Sequence, residues 1–152
     1  MFLHFFEFKM AQLKRSIATL RIMGDELIPD EITRILGCEP SRAQSKGEEL
    51  IGHKTGSIRI AKIGMWRLDS AKREPENLDD QIEELLCRLN NSVDIWTTLS
   101  NKFKVDMFCG LFLGSSNEGL SISPKSLSAL GARGIELDLD IYGFRDEVDI
   151  IP

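Results

Sequence analysis

Residues 16–37, SIATLRIMGDELIPDEITRILG, read as a strand, a tight acidic turn and a short capped helix. Positions 17–23 alternate weakly and are rich in β-branched and large apolar residues, the pattern of a strand buried on one face and partly covered on the other. Gly24 and Asp25 supply a turn signal. Pro29 fixes φ at a value suited to the first helical turn, and Asp30 and Glu31 place negative charge beside unpaired helix N–H groups. Ile32, Ile35 and Leu36 share one helical face, with Thr33 and Arg34 on the other, and Gly37 can take the left-handed conformation that closes a helix. A helix this short needs a surface to lie on. The stretch therefore predicts a helix packed on the sheet to which its own strand belongs, an α+β domain. Turn and helix-start chemistry also accounts for Asp25, Glu26, Asp30 and Glu31 without a catalytic role.

Downstream, residues 38–57 carry Pro40, Gly47, Gly52 and Gly56 and little periodic apolar content, so they form a long connection in which 42–46 could pair as a short strand. Long connections in compact domains are disproportionately functional. This one gathers Arg42, Lys46, Glu48, Glu49, His53 and Lys54, against the plainer reading of a solvated excursion. Residues 58–68, IRIAKIGMWRL, change phase in their alternation, which a bulge near Lys62 or Gly64, or a pair of short strands, would reconcile. Trp66 suits the core edge or a pocket wall, because its N–H wants a partner. Asn77 is a helix cap with Asp80 three residues on. Apolar residues from Leu78 to Phe103 then recur at three and four, interrupted at Asn90, Asn91 and Ser92, where a kink or two consecutive helices is expected. Residues 104–113 are a strand with Val105, Met107, Cys109, Leu111 and Leu113 on one face and Phe108 and Phe112 on the other, as in a central strand covered on both sides or a sheet whose second face is used by the N-terminal segment or another subunit. A turn at 114–119 and a short strand at 120–123 would make a hairpin. Residues 124–131 echo the opening device, with a proline before Leu127 and Leu130. The last strand alternates Ile135, Leu137, Leu139 and Ile141 with Glu136, Asp138, Asp140 and Tyr142, predicting one buried and one acidic face.

At 152 residues and 42% hydrophobic, the chain supports one core rather than two. Twenty-four acidic against 19 basic residues give a net charge of -5, which argues against nonspecific nucleic-acid binding. Residues 1–62 hold ten basic and eight acidic groups, so the acidity belongs to the second half. Cys38, Cys87 and Cys109 are odd in number and widely spaced, which fits a reducing, cytoplasmic setting. Cys87 and Cys109 read as structural, and Cys38, after a helix stop, is the most exposed candidate, with no base in sequence to activate it. The opening MFLHFFEFKM lacks the basic region and cleavage site of a signal peptide. Its aromatic cluster is expected to pack on the body or to build a homodimer. No run reaches the length of a membrane span.

No dinucleotide, phosphate-loop or zinc-protease motif is present. Two distant histidines and three scattered thiols do not make a zinc site. The row Glu136, Asp138, Asp140 could in principle suit a hard cation, yet a solvated acidic face is the commoner outcome. No cofactor, metal or catalytic residue is expected. Trp66 and Tyr142 could stack bases, but neither lies in an aromatic-and-basic signature.

The strand at Ala18, Gly24, Pro29, Glu31 and Ile32, the Leu36-Gly37 stop, Pro40, the Lys46-Gly47-Glu48 turn, Trp66, the Leu85-Leu86 helix and the closing Asp140-Ile141-Tyr142 together resemble an uncharacterised bacterial family, domain of unknown function 4279. The resemblance covers residues 16–143 and implies a small α+β domain without an assigned activity. The expected organisation is an extension at 1–15, one domain at 16–143 and a tail at 144–152. Its fold is a two-layer α+β sandwich, ferredoxin-like or a related split βαβ arrangement, with an antiparallel or mixed sheet of five or six strands. The expected function is noncatalytic protein binding, in its specific form an immunity-type protein whose acidic Asp138 and Asp140 meet a basic partner. The alternative is a small-ligand protein or enzyme with a pocket formed by Arg42, Lys46, Glu48 and His53 against Trp66.

Overall fold

The computed structural model describes residues 12–144, and the expectations for the N-terminal aromatic cluster and for most of the tail lie outside them. The elements follow as β1 (Arg15–Gly24), α1 (Pro29–Leu36), β2 (Arg42–Gln44), β3 (Glu49–Ile51), β4 (Ile58–Ile60), β5 (Gly64–Asp69), α2 (Leu78–Leu86), α3 (Val93–Lys102), β6 (Lys104–Phe112), α4 (Pro124–Ala132) and β7 (Glu136–Tyr142). Five strands form one mixed sheet in the order β2-β5-β1-β6-β7, and β3 and β4 form a separate two-stranded ribbon. β1 is antiparallel to both β5 and β6, with Leu20 opposite Leu68 on one side and Met107 on the other. β5 and β6 are therefore parallel to each other with β1 between them, and α2 and α3 make the crossover: a split βαβ unit. A second crossover through α4 sets β7 parallel to β6.

The opening stretch forms as its chemistry dictates. Pro29 begins α1, and Gly37 closes it at φ 71° with its N–H donating to the Thr33 carbonyl. Ile32 and Leu36 join Leu20 and Ile22 of β1, Trp66 and Leu68 of β5, and Ile82 and Leu85 of α2 in one buried cluster. Thr33 does not point away from it. Its hydroxyl accepts the Trp66 Nε1–H at 3.0 Å, which satisfies the indole in a fully buried site. Ser16 and Gln81 pin α2 to β1 across the core: the Ser16 hydroxyl donates to Gln81 Oε1 at 2.6 Å, and Gln81 Nε2 donates to the Ser16 carbonyl.

The periodic run from Leu78 divides where the asparagines stand, into α2 and α3, and Asn77 caps α2 by accepting from the Asp80 N–H. The 58–68 run is two strands, β4 in the ribbon and β5 in the sheet.

Three expectations are overturned. Residues 120–123 are no strand and make no hairpin with β6. The Ser123 N–H and hydroxyl bond Asp79, and the same hydroxyl caps α4, so this backbone is committed to helix initiation rather than to a ladder. The apolar face of β7, the edge strand, is buried only at its start: Ile135 is buried and Leu137 packs partly buried against the core, but Leu139 and Ile141 are 40% and 59% exposed. Cys87, read as structural, is exposed at the end of α2, whereas Cys38, expected to be the most exposed thiol, is half-buried. Cys109 is fully buried, and burial, with lesser effects from Asp106 and Asp138, pushes its thiol up to about 12.

Candidate interaction surface

The helices lie on one face of the sheet, against Ala18, Leu20 and Ile22 and their neighbours in register, Met107 and Cys109. No helix of the described residues covers the other face. Strand alternation assigns to that face Arg15, Thr19 and Arg21 of β1, Arg67 and Asp69 of β5, Asp106, Phe108, Gly110 and Phe112 of β6, and Asp138, Asp140 and Tyr142 of β7.

Two arrays organise it. Arg21 donates from Nε and Nη2 to both oxygens of the Asp106 carboxylate, each at 2.8 Å, and Asp138 lies 3.5 Å from the same guanidinium. The Asp106 side chain is fully buried, so this fork is its main neutralising contact; Lys104 Nζ stands 3.8 Å away, beyond hydrogen-bond reach. The Arg21 guanidinium also lies over Phe108, 4.2 Å from the ring centroid. In the second array Arg15, Phe112 and Tyr142 stand opposite one another on three adjacent strands. Arg15 caps the Phe112 ring at 3.8 Å, and Phe112 stacks on Tyr142 with centroids 4.5 Å apart and planes 4° from parallel. Gly110 lies between Phe108 and Phe112, and its missing side chain leaves a shallow notch bordered by Thr19, Arg67 and Tyr142.

The residues singled out from sequence fall at opposite ends of this sheet. Arg42 is on β2, one edge, and Asp138, Asp140 and Tyr142 are on β7, the other. Four strand spacings of about 4.8 Å, or about 19 Å, separate them. Lys46 pairs with Asp25 at 2.6 Å, and Glu48 accepts the Ser45 N–H at 2.8 Å, while His53 is exposed in the turn between β3 and β4. Trp66, fully buried, presents no surface to them. Phe108 and Phe112 were expected together on one face of their strand, whereas Arg15 and Arg21 went unmarked in the sequence. Alternation in residues 15–24 could have placed the two arginines on one face, but nothing in it shows that this strand and 104–112 are neighbours. Among the described residues, no group of three or more His, Cys, Asp and Glu side chains is placed to hold a metal ion.

A profile of the family Domain of unknown function (DUF4279) matches residues 11–144. The chain belongs to the DUF4279 family. The matched span contains every strand and helix of the sheet and its helical layer, so the open face and both arrays are parts of the DUF4279 domain itself. No curated protein and no solved structure matches the chain significantly.

Proposed function

We propose that this DUF4279 domain is a noncatalytic interaction module that binds a basic protein at the β7 end of its open sheet face. The observation that carries the reading is the combination at β7: Asp140 neighbours Tyr142 on the open face, Asp138 lies further along the same face 3.5 Å from Arg21, and Leu139 and Ile141 are exposed on the same strand. Exposed apolar residues rimmed by charge of one sign suit a partner of opposite charge with an apolar strip of its own. The acidic second half of the chain extends the same field. The specific form of the reading is an immunity-type protein of the cytoplasm that neutralises a basic toxin. The test compares the protein with its Asp138→Lys/Asp140→Lys variant against a panel of basic proteins by calorimetry at two ionic strengths. Saturable, salt-sensitive binding that the charge reversal abolishes is the expected result, and undiminished affinity of the variant for every basic partner overturns it.

A second reading, a carrier of a small apolar acid, is favoured by a groove of about 340 Å³ between α2 and α4. Ile82, Leu86 and Ala129 line it together with Arg133, while the groove's carboxylates are engaged, Asp79 by Ser123 and Glu83 by Lys125. Arg133 donates from Nη1 to the Ala129 carbonyl, but its buried Nε has no hydrogen-bond partner among the described residues. In this reading decanoate binds better than decanol, and Arg133→Gln removes the difference; equal binding of the two by the unaltered protein sinks it.

A further inference from the structure

We propose that β7 is an acceptor edge, to which the partner adds an extended segment as a sixth strand with basic and apolar residues in alternation. The inference rests on the basic-partner reading and specifies how the partner is held.

Three observations converge. β7 is the terminal strand of the sheet, so one row of its backbone N–H and C=O groups has no ladder partner among the described residues. Its two faces have opposite chemistry in strict alternation, with Asp138, Asp140 and Tyr142 on the open face and Leu139 and Ile141 exposed on the helical side. The planar stack is unfinished: Arg15, Phe112 and Tyr142 continue from strand to strand, and the ladder ends at Tyr142, which is 48% exposed. An added strand would set one of its own side chains beside Tyr142, the position at which an arginine repeats the contact that Arg15 makes with Phe112. Cross-strand neighbours on one face are the unit of sheet pairing. The segment that fits therefore carries an arginine opposite Tyr142, lysine or arginine opposite Asp138 and Asp140, and branched apolar residues opposite Leu139 and Ile141. This is strand addition with specificity in alternate side chains.

A second copy of this chain is the wrong occupant. In the three antiparallel registers that overlap two β7 strands most fully with like faces together, Asp138 falls opposite Asp140, Asp138 opposite itself, or Asp140 opposite itself. Like charges directly opposite in a sheet are destabilising. The acidic row thus protects the edge from self-association while leaving it open to a cationic strand.

The experiment uses the full chain and four blocked heptapeptides: one alternating lysine and isoleucine with an arginine at the position facing Tyr142, its glutamate counterpart, a block arrangement of the same basic composition, and the first peptide N-methylated along one edge. Amide hydrogen exchange and chemical-shift titration are read together. The expected result is saturable binding of the alternating basic peptide, slowed exchange within Glu136–Tyr142, and at least tenfold weaker binding of the N-methylated and block peptides. Equal binding of the N-methylated peptide, without added protection in β7, overturns strand addition and leaves the basic-partner reading standing. Equal binding of the glutamate peptide, or no saturable binding by any of them, overturns both. A peptide-free dimer with β7 already protected overturns the choice of occupant.

Discussion

The Arg21–Asp106 fork is the residue-scale feature with the largest consequence, because it places a fully buried carboxylate on a sheet face that no helix of the described residues covers. Removing one member of a buried pair leaves an uncompensated charge and costs about 3–5 kcal/mol. Arg21→Met should lower stability by about that amount in urea titrations, and adding Asp106→Leu should restore most of it. A single variant with the parent's midpoint would show that the fork contributes nothing. Glu76 gives a pH-dependent counterpart. Burial raises its carboxyl above the ordinary value, the Leu78 N–H that it accepts opposes this, and the charge of Asp79 adds to the rise. An acid with a raised folded value binds its proton more tightly when folded, so stability falls as pH rises from 4.5 through that value. Glu76→Gln should therefore gain stability relative to the parent at neutral pH and lose that gain below pH 4.5; a gain that persists in acid would contradict the assignment. The thiols supply a third check. Cys87 should react with a disulfide reagent in the native protein, and Cys109, buried and raised to about 12, only on unfolding. At this scale the sequence is least legible. Arg21 and Asp106 are separated by 85 positions, and only strand order makes them neighbours.

Elements were legible where a local signal and a packing demand coincide. Proline, glycine and apolar spacing marked α1, and the asparagine run marked the break between α2 and α3. What the run could not disclose is its tertiary anchor: Asn90 donates its backbone N–H to the Leu36 carbonyl, and its own carbonyl accepts the Trp96 Nε1–H at 2.6 Å. The segment 120–123 was misread because apolar alternation there is genuine but the backbone is claimed by Asp79. Burial pushes the Asp79 carboxyl up, yet hydrogen bonds from Ser126 and from Ser123 outweigh it and hold the group below its ordinary value. The buried side of β7 was misread because alternation states which residues share a face, not how far the covering helix extends. Two glycines test element packing in opposite directions. A Cβ on Gly64 would lie 2.7 Å from the Gly24 carbonyl oxygen and 2.9 Å from that of Leu27, both backbone atoms that cannot step aside. Gly64→Ala should cost about 2–3 kcal/mol. A Cβ on Gly131, within α4, meets nothing within 4 Å, so Gly131→Ala should add about 0.5–1 kcal/mol through helix propensity. Thermal unfolding of the two variants decides both, and the same sign for both would contradict the geometry.

At the scale of the molecule, the helical layer and five-stranded sheet form the cooperative unit, and the β3–β4 ribbon is a satellite. Ile51, Ile58 and Ile60 of the ribbon are 66%, 64% and 51% exposed, while Ala61 at its base is buried and closes it through hydrogen bonds with Gly47 and Glu48. Replacing residues 49–60 by a two-residue turn should leave the circular dichroism and a single cooperative transition intact; loss of cooperativity would place the ribbon in the core's folding unit. The overall architecture was accessible from sequence because the principal strands and helices outside the ribbon pack apolar residues into the same core. The open face was not, because it is defined by which side of the sheet the described helices choose.

The placement of the aromatic residues also divides the protein's optical signals by location. Both tryptophans, Trp66 and Trp96, are fully buried, and the single tyrosine, Tyr142, terminates the planar stack at the outer strand. Indole emission therefore reports the integrity of the interior, while phenol absorbance and nitration report the margin of the sheet. Occupation of that margin should be visible in the phenol with the indole emission unchanged, so docking and denaturation can be followed as separate colours in one unlabelled sample.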